Sequence, residues 1–351
     1  MELVTFWFIL ISVLWIVYLT LEGFDFGVGM LLPFVSRDDT ERRVLINTIA
    51  PVWDGNEVWL ITAGVGIFAA FPEWYATLFS GFYLPLFLVI VALIIRGVSF
   101  EYRGTIESAR WRRFWDGMII AGSTLLALLW GVAFANIVAG VPIDADKHFT
   151  GTLFTLLNPY GLLGGVTTVL LFAFHGALWL GLRTTGEVRT RSIAIGAKLA
   201  LPTIVVAAVF AVWTQLAHGK PWTWALVVIA AAALITAGYA ALKQKEGIGF
   251  AGTAVAVAAA VALLFGSLFP DVMPSSTDAA FSLTVHNASS THYTLVVMSV
   301  VTCIMLPVVI AYQSWSYWVF RHRIGVSHIP PGHGLPWATK KAPRTTQEAA
   351  S

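Results

Sequence analysis

The chain carries a single cysteine, Cys303, in 351 residues. That excludes an intrachain disulfide, a thiolate metal cluster and a covalent haem-attachment motif. Charge is scarce as well: 11% of residues are Asp, Glu, Lys or Arg and the net charge is +2, which leaves no electrostatic footprint for nucleic acid. The sequence also lacks nucleophile elbows, glycine-rich phosphate loops and paired His or Cys ligands. Gly27-Val28-Gly29 lies inside an apolar run, without the strand–turn–helix context of a nucleotide loop, and reads as a helix seam. What fills the chain is apolar sequence. Hydrophobic residues make up 58% of it, which defines an all-α polytopic membrane protein.

Apolar runs of about 20 residues mark candidate spans. Nine are expected, near 5–34, 49–71, 75–95, 117–138, 158–182, 193–216, 222–242, 248–269 and 294–319. The first run outlasts the apolar core of a cleavable signal and contains Asp25, so insertion is expected to use this span itself. Alternate connections hold the basic residues. Arg37, Arg42 and Arg43 lie in the first, and Arg96, Arg103, Arg110, Arg112 and Arg113 in the third. Arg183, Arg189, Arg191 and Lys198 surround the fifth, Lys243 and Lys245 the seventh. Arg321, Arg323, Lys340, Lys341 and Arg344 follow the last span, so 19 of the 21 Lys and Arg residues share one side and only Lys147 and Lys220 the other. The positive-inside rule then puts the N-terminus outside and the C-terminus in the cytoplasm, in agreement with an odd number of spans. A transmembrane domain over 1–323 and a disordered cytoplasmic tail over 324–351, rich in Pro, Gly, Thr and Lys, complete the expected organisation.

Two spans carry acids in their interiors. Glu22 and Asp25 are three residues apart and share a helix face; Asp54 and Glu57 repeat the spacing on the next span. A charge at such depth costs at least ~2.5–3.5 kcal/mol, so these residues read as functional. The orientation gathers them, with Glu101, in the cytoplasmic half of the membrane. Contact between the two spans is expected to set Asp25 beside Asp54, and Arg96, near the inner end of the third span, is the expected partner of Asp54. Such a pair, if permanent, would keep Asp54 ionised and argue against a shuttle. Gly23, Gly27, Gly29, Gly64 and Gly66 read as a packing seam between the first two spans. Seven of the eight histidines fall outside the spans, and His175 alone gives no pair of haem ligands.

Several segments resemble one family. They are Gly-Phe-Asp-Phe-Gly-Val-Gly-Met (23–30), Asp-Thr-Glu-Arg-Arg (39–43), the block from Ile49 to Gly64 containing Trp-Asp-Gly-Asn-Glu, and Phe-Ser-Gly-Phe-Tyr (79–83). Ala-Arg-Trp-Arg (109–112), Leu-Asn-Pro-Tyr-Gly-Leu-Leu-Gly-Gly-Val (157–166) and Val-Met-Pro-Ser-Ser-Thr (272–277) extend the match. All are similar to subunit II of the cytochrome bd-type quinol oxidases; residues 195–262 and the tail after Arg323 carry no such motif. The resemblance implies two four-helix bundles plus a ninth helix in a bacterial inner membrane. It implies a heterodimer with a subunit I that bears the haems b and d and the quinol-binding loop, no redox centre in this chain, and reduction of oxygen by quinol. It implies a cytoplasmic proton route through Asp25 and Asp54, with Glu101 near its mouth. Trp53 and Asn56 would shape that route, and Glu22 and Glu57 are secondary members. An apolar oxygen path, a structural quinone or lipid, and small accessory subunits are further candidates. The alternatives are a proton-coupled secondary transporter, which would show broken helices in two corresponding repeats, and a purely structural scaffold, which leaves the acids unexplained.

Overall fold

The computed structural model describes residues 2–330 and 335–336 of the chain. The helices, in order, are α1 (Leu3–Val35), α2 (Asp39–Ile49), α3 (Trp53–Ala70), α4 (Pro72–Gly81), α5 (Tyr83–Tyr102), α6 (Ala109–Ala139), α7 (Leu153–Leu156), α8 (Pro159–Arg183), α9 (Gly186–His218), α10 (Trp224–Leu242), α11 (Glu246–Leu268) and α12 (His292–Val319). Among the described residues eight of them, α1, α5, α6 and α8–α12, are long and apolar enough to cross a membrane. The expected second span is α3, 18 residues long. Asp54, Asn56 and Glu57 make its first turns polar and keep it out of that set of eight.

Contacts sort the long helices into two bundles. In the first, α1, α3, α5 and α6 surround one another; in the second, α8, α9, α10 and α11 do so; α1 and α6 both pack on α8. Helix α12 lies along the edge of the first bundle, against α1 and α3, and its Tyr317 ring also meets Trp179 of α8 at 6.2 Å. The glycine seam differs from the expected one. A Cβ at Gly27 would collide with the Phe172 carbonyl and with Gly176, so Gly23 and Gly27 bring α1 against α8, and Gly29 faces Ser123 of α6; of the expected seam, Gly66 of α3 does face Ile11 and Leu14 of α1. Gly64 has open space around it. Small residues at this crossing let the backbones meet, which is the main source of helix attraction where lipid is as apolar as the side chains.

The basic ends of the helices form one face of the molecule. Residues 35–48, read as a connection, instead include the 11-residue helix α2. Asp38 caps it by accepting from the Glu41 amide at 2.9 Å, and Val44, Leu45 and Ile49 bury their apolar side against Leu31, Leu32 and Val35 of α1 and Leu180 of α8. A charged amphipathic helix of this length gives no span-like signal, which is why the sequence hid it. Asp116 stands two turns inside α6 and pairs with Arg103 at 2.5 Å and Arg42 at 3.4 Å. Asp39 joins Arg103 at 2.7 Å and Arg112 at 3.3 Å, and Arg191 pairs with Glu41. Burial works against the charged form of Arg103, but Asp116 and Asp39 outweigh it and raise its pKa above the usual arginine value. Of the expected tail, Ile324 donates its amide to the Arg183 carbonyl at 2.9 Å, and a short 3-10 turn spans Val326–His328. The rest of that stretch, 331–334 and 337–351, lies outside the described residues.

At the opposite end the Ser/Thr-rich stretch 270–293 is an ordered cap. Strands Asp271–Met273 and Leu283–Thr284 pair antiparallel. The Val141 amide donates to Pro274, the Ser276 amide to Val141, and the Ser290 amide to Ala70. Helix α8 starts where the sequence suggested, with Asn158 accepting from the Gly161 amide at 2.8 Å and Pro159 in the first turn.

Candidate functional site

Four helices of the membrane domain bring polar side chains to one point. Glu22 and Asp25 come from α1, Asn56 and Glu57 from α3, Arg96 from α5, and Gln313 and Tyr317 from α12. Glu22, Asp25, Asn56 and Arg96 have no exposed surface. Arg96 Nη1 donates to Glu57 Oε1 at 2.9 Å and lies 3.3 Å from Glu22 Oε2. The guanidinium is held between two rings, with centroid distances of 5.0 Å to Phe26 and 5.1 Å to Phe100. Asn56 Nδ2 donates to Asp25 Oδ2 at 2.7 Å. Its Oδ1 accepts twice, from Gln313 Nε2 at 2.9 Å and from the Tyr317 hydroxyl at 2.8 Å.

These contacts correct two expectations. Arg96 pairs with Glu22 and Glu57; among the described residues no ion pair includes Asp54. Asp25 meets Asn56 from α3, and Asp54 is exposed on the outer face of that helix beside Val58, Ile61, Val65 and Phe68. Trp53 is half-buried, its ring 5.3 Å from Phe100, and Glu101 is exposed at the end of α5. Two members were missed by sequence reasoning. Gln313 and Tyr317 are four residues apart in an apolar run and so share a helix face, a signal that was there.

The cluster is short of partners. Glu22 Oε1 and Oε2, Asp25 Oδ1, and Arg96 Nε and Nη2 are buried without a hydrogen bond among the described residues. Buried polar atoms are nearly always satisfied, so this many at one place demand a reason. One cation also faces three carboxyl groups. Away from the basic face, polarity ends at once: Tyr18, one turn before Glu22, accepts from Trp130 Nε1 at 3.1 Å. Beyond it lies an apolar cavity of about 380 Å³ lined by Trp15, Leu60, Trp74, Phe82 and Phe134.

His175 does not supply a haem ligand. Its Nδ1 meets Thr253 Oγ1 at 2.7 Å, its Nε2 meets the Thr20 carbonyl at 3.1 Å, and its ring stacks on Phe250 at 4.5 Å. Both nitrogens are engaged in a fully buried site, so the residues present do not fit an axial position.

Fold and cluster together define a polytopic membrane protein that keeps a charged, incompletely paired group of carboxyls inside a helix bundle. Residues 3–320 match the family described as cytochrome bd terminal oxidase subunit II. The chain is 43% identical over 330 residues to the cytochrome bd ubiquinol oxidase subunit 2 of Bacillus subtilis (strain 168), covering 93% of this chain and 97% of that one. It is 38% identical over 356 residues to the cytochrome bd-I ubiquinol oxidase subunit 2 of Escherichia coli (strain K12), covering 91% and 94%. A solved bd oxidase from Geobacillus thermodenitrificans shares the fold, with a TM-score of 0.74, 17% identity and coverage of 91% of this chain and 99% of that one. The chain belongs to the cytochrome bd terminal oxidase subunit II family. It is a multi-pass subunit of an oxidoreductase complex of the bacterial inner membrane.

Proposed function

We propose that this chain is the haem-free subunit of a quinol:oxygen oxidoreductase and carries part of the proton route to a haem-bearing subunit I. The observation that supports the reading is the group of buried Glu22 and Asp25 and partly buried Glu57 around the guanidinium of Arg96. Unpaired charge is expensive in such surroundings. With one cation for three carboxyls, the group is electrically balanced when it holds two protons, and it can release and regain them as charge moves nearby. Reduction of oxygen to water consumes protons, and a buried redox centre needs such a polar route.

In the proposed orientation the N-terminus is outside, α3 crosses as a ninth span, and the basic face is cytoplasmic. Protons then enter from that side past the exposed Glu101 and the Tyr317–Asn56 link and reach Asp25, Glu22 and Glu57. Asp54 is the handover point. An acid facing lipid among exposed apolar residues would cost ~2.5–3.5 kcal/mol, so this face of α3 is proposed to lie against subunit I, one turn from Glu57. The apolar cavity beyond Tyr18 is suited to oxygen, or to the tail of a quinone or lipid, and to nothing charged. A transporter reading finds no support here, since Pro33, Pro202 and Pro307 all sit within continuous helices. The test is Asp54→Asn in the whole complex. Haem content and assembly should match wild type, because Asp54 has no ion pair among the described residues to lose, while quinol-driven oxygen consumption per haem falls at least tenfold, about 1.4 kcal/mol of barrier. Unchanged turnover would remove Asp54 from the route.

A further inference from the structure

Three arginines are buried among the described residues: Arg96, Arg103 and Arg183. The first two are matched with carboxylates, Arg96 with Glu57 at 2.9 Å and Arg103 with Asp116 at 2.5 Å. Arg183 has none. Its residue is 8% exposed, its Nε is buried without a hydrogen bond among the described residues, and its guanidinium lies over the Trp179 ring, 5.2 Å from the centroid. A buried cation with no anion is the costly half of an ion pair, and here it borders open space. Arg183 lines a cleft of about 560 Å³ on the basic face, together with Asn47 of α2 and Val319, Phe320 and His322 at the end of α12.

We propose that this cleft binds the phosphate of an anionic phospholipid, with Arg183 as its principal ligand. Guanidinium is the side chain best matched to phosphate oxygens, and basic pockets between helices at the membrane surface hold acidic headgroups. The surroundings favour a lipid over free phosphate. Val319 and Phe320 are exposed, and exposed Trp315, Tyr312, Val309 and Val308 continue the apolar surface along α12 from the cleft, giving acyl chains a path into the bilayer. Placing the site in the cytoplasmic leaflet rests on the orientation proposed above. The binding itself does not, so either can fail without the other.

The test uses the intact oxidase complex, partner subunit included, washed in detergent and titrated with phosphatidylglycerol, followed by native mass spectrometry. Arg183→Gln should lower phosphatidylglycerol occupancy at least tenfold and leave phosphatidylcholine occupancy unchanged. Asn47→Asp, at an exposed position in the same cleft, brings a carboxylate to Arg183 and should cause a similar loss without disturbing the fold. Equal phosphatidylglycerol occupancy in wild type and Asn47→Asp would overturn the proposal, whether or not Arg183→Gln assembles. So would inorganic phosphate displacing the lipid at millimolar concentration, which would make free phosphate the occupant. Dissociation of the partner subunit in Arg183→Gln with lipid occupancy intact would assign the missing anion to that subunit and equally overturn it.

Discussion

Arg96→Gln is the perturbation for which the structure gives the clearest magnitude. The guanidinium has no exposed surface, touches Glu57 at 2.9 Å and Glu22 at 3.3 Å, and fills the gap between Phe26 and Phe100. Glutamine removes the cation that faces the three carboxyls and leaves buried Glu22 and partly buried Glu57 without their partner. Breaking one side of a buried pair costs ~3–5 kcal/mol. Loss of the desolvated ring contacts adds up to about 2 kcal/mol. At ~4 kcal/mol the ratio of assembled to unfolded protein falls nearly a thousandfold. The assay is the amount of haem-containing complex recovered by size exclusion, with its melting temperature. The combination Arg96→Gln, Glu22→Gln, Glu57→Gln removes the orphaned acids and should restore assembly while turnover stays low, because two proton carriers are gone. Wild-type assembly of Arg96→Gln alone would refute the ion-pair reasoning, and so would a triple variant that assembles no better than the single one.

Two further outcomes follow from packing and topology. Gly27→Val drives a side chain into the Phe172 carbonyl and Gly176, so it should destabilise by ~1–3 kcal/mol as overpacking does, measured as a lower melting temperature of the complex, whereas Gly64→Ala, with nothing within 4 Å, should be neutral. In a Cys303→Ser background, Thr277→Cys in the exposed part of the cap should react with an impermeant thiol reagent added outside intact cells, and Thr190→Cys, exposed on the basic face, should not; the opposite pattern inverts the proposed orientation.

How far the sequence could be read depended on the kind of information each feature needs. Most spans were legible because an apolar run of membrane length has few other uses, but the run expected over 75–95 straddles the break at Phe82 between α4 and α5, so the crossing helix is Tyr83–Tyr102. Helix α2 was not legible, since 11 charged residues with a narrow apolar face resemble a connection. The acids of α1 and α3 were found from depth, but their partners depend on azimuth. At 3.6 residues per turn, Asp54 and Glu57 point about 60° apart and Asp54 and Asn56 about 160° apart. That is enough to put Glu57 on Arg96, Asn56 on Asp25, and Asp54 on the outer surface. The spacing that grouped Asp54 with Glu57 therefore also separated them. Tyr317 needed knowledge of which side of α12 meets α3, which only tertiary packing supplies.

Asp25→Asn separates carboxyls that move protons from carboxyls that only brace the helices. Asparagine keeps the size of the side chain and an oxygen to accept from Asn56 Nδ2, now 2.7 Å from Asp25, but it cannot carry a proton. Asp25 has no direct ion pair among the described residues, so the substitution orphans no cation. The expected result is a complex with wild-type haem content and melting temperature whose oxygen consumption per haem falls at least tenfold, about 1.4 kcal/mol. A fully assembled Asp25→Asn complex that consumes oxygen at the wild-type rate would contradict it.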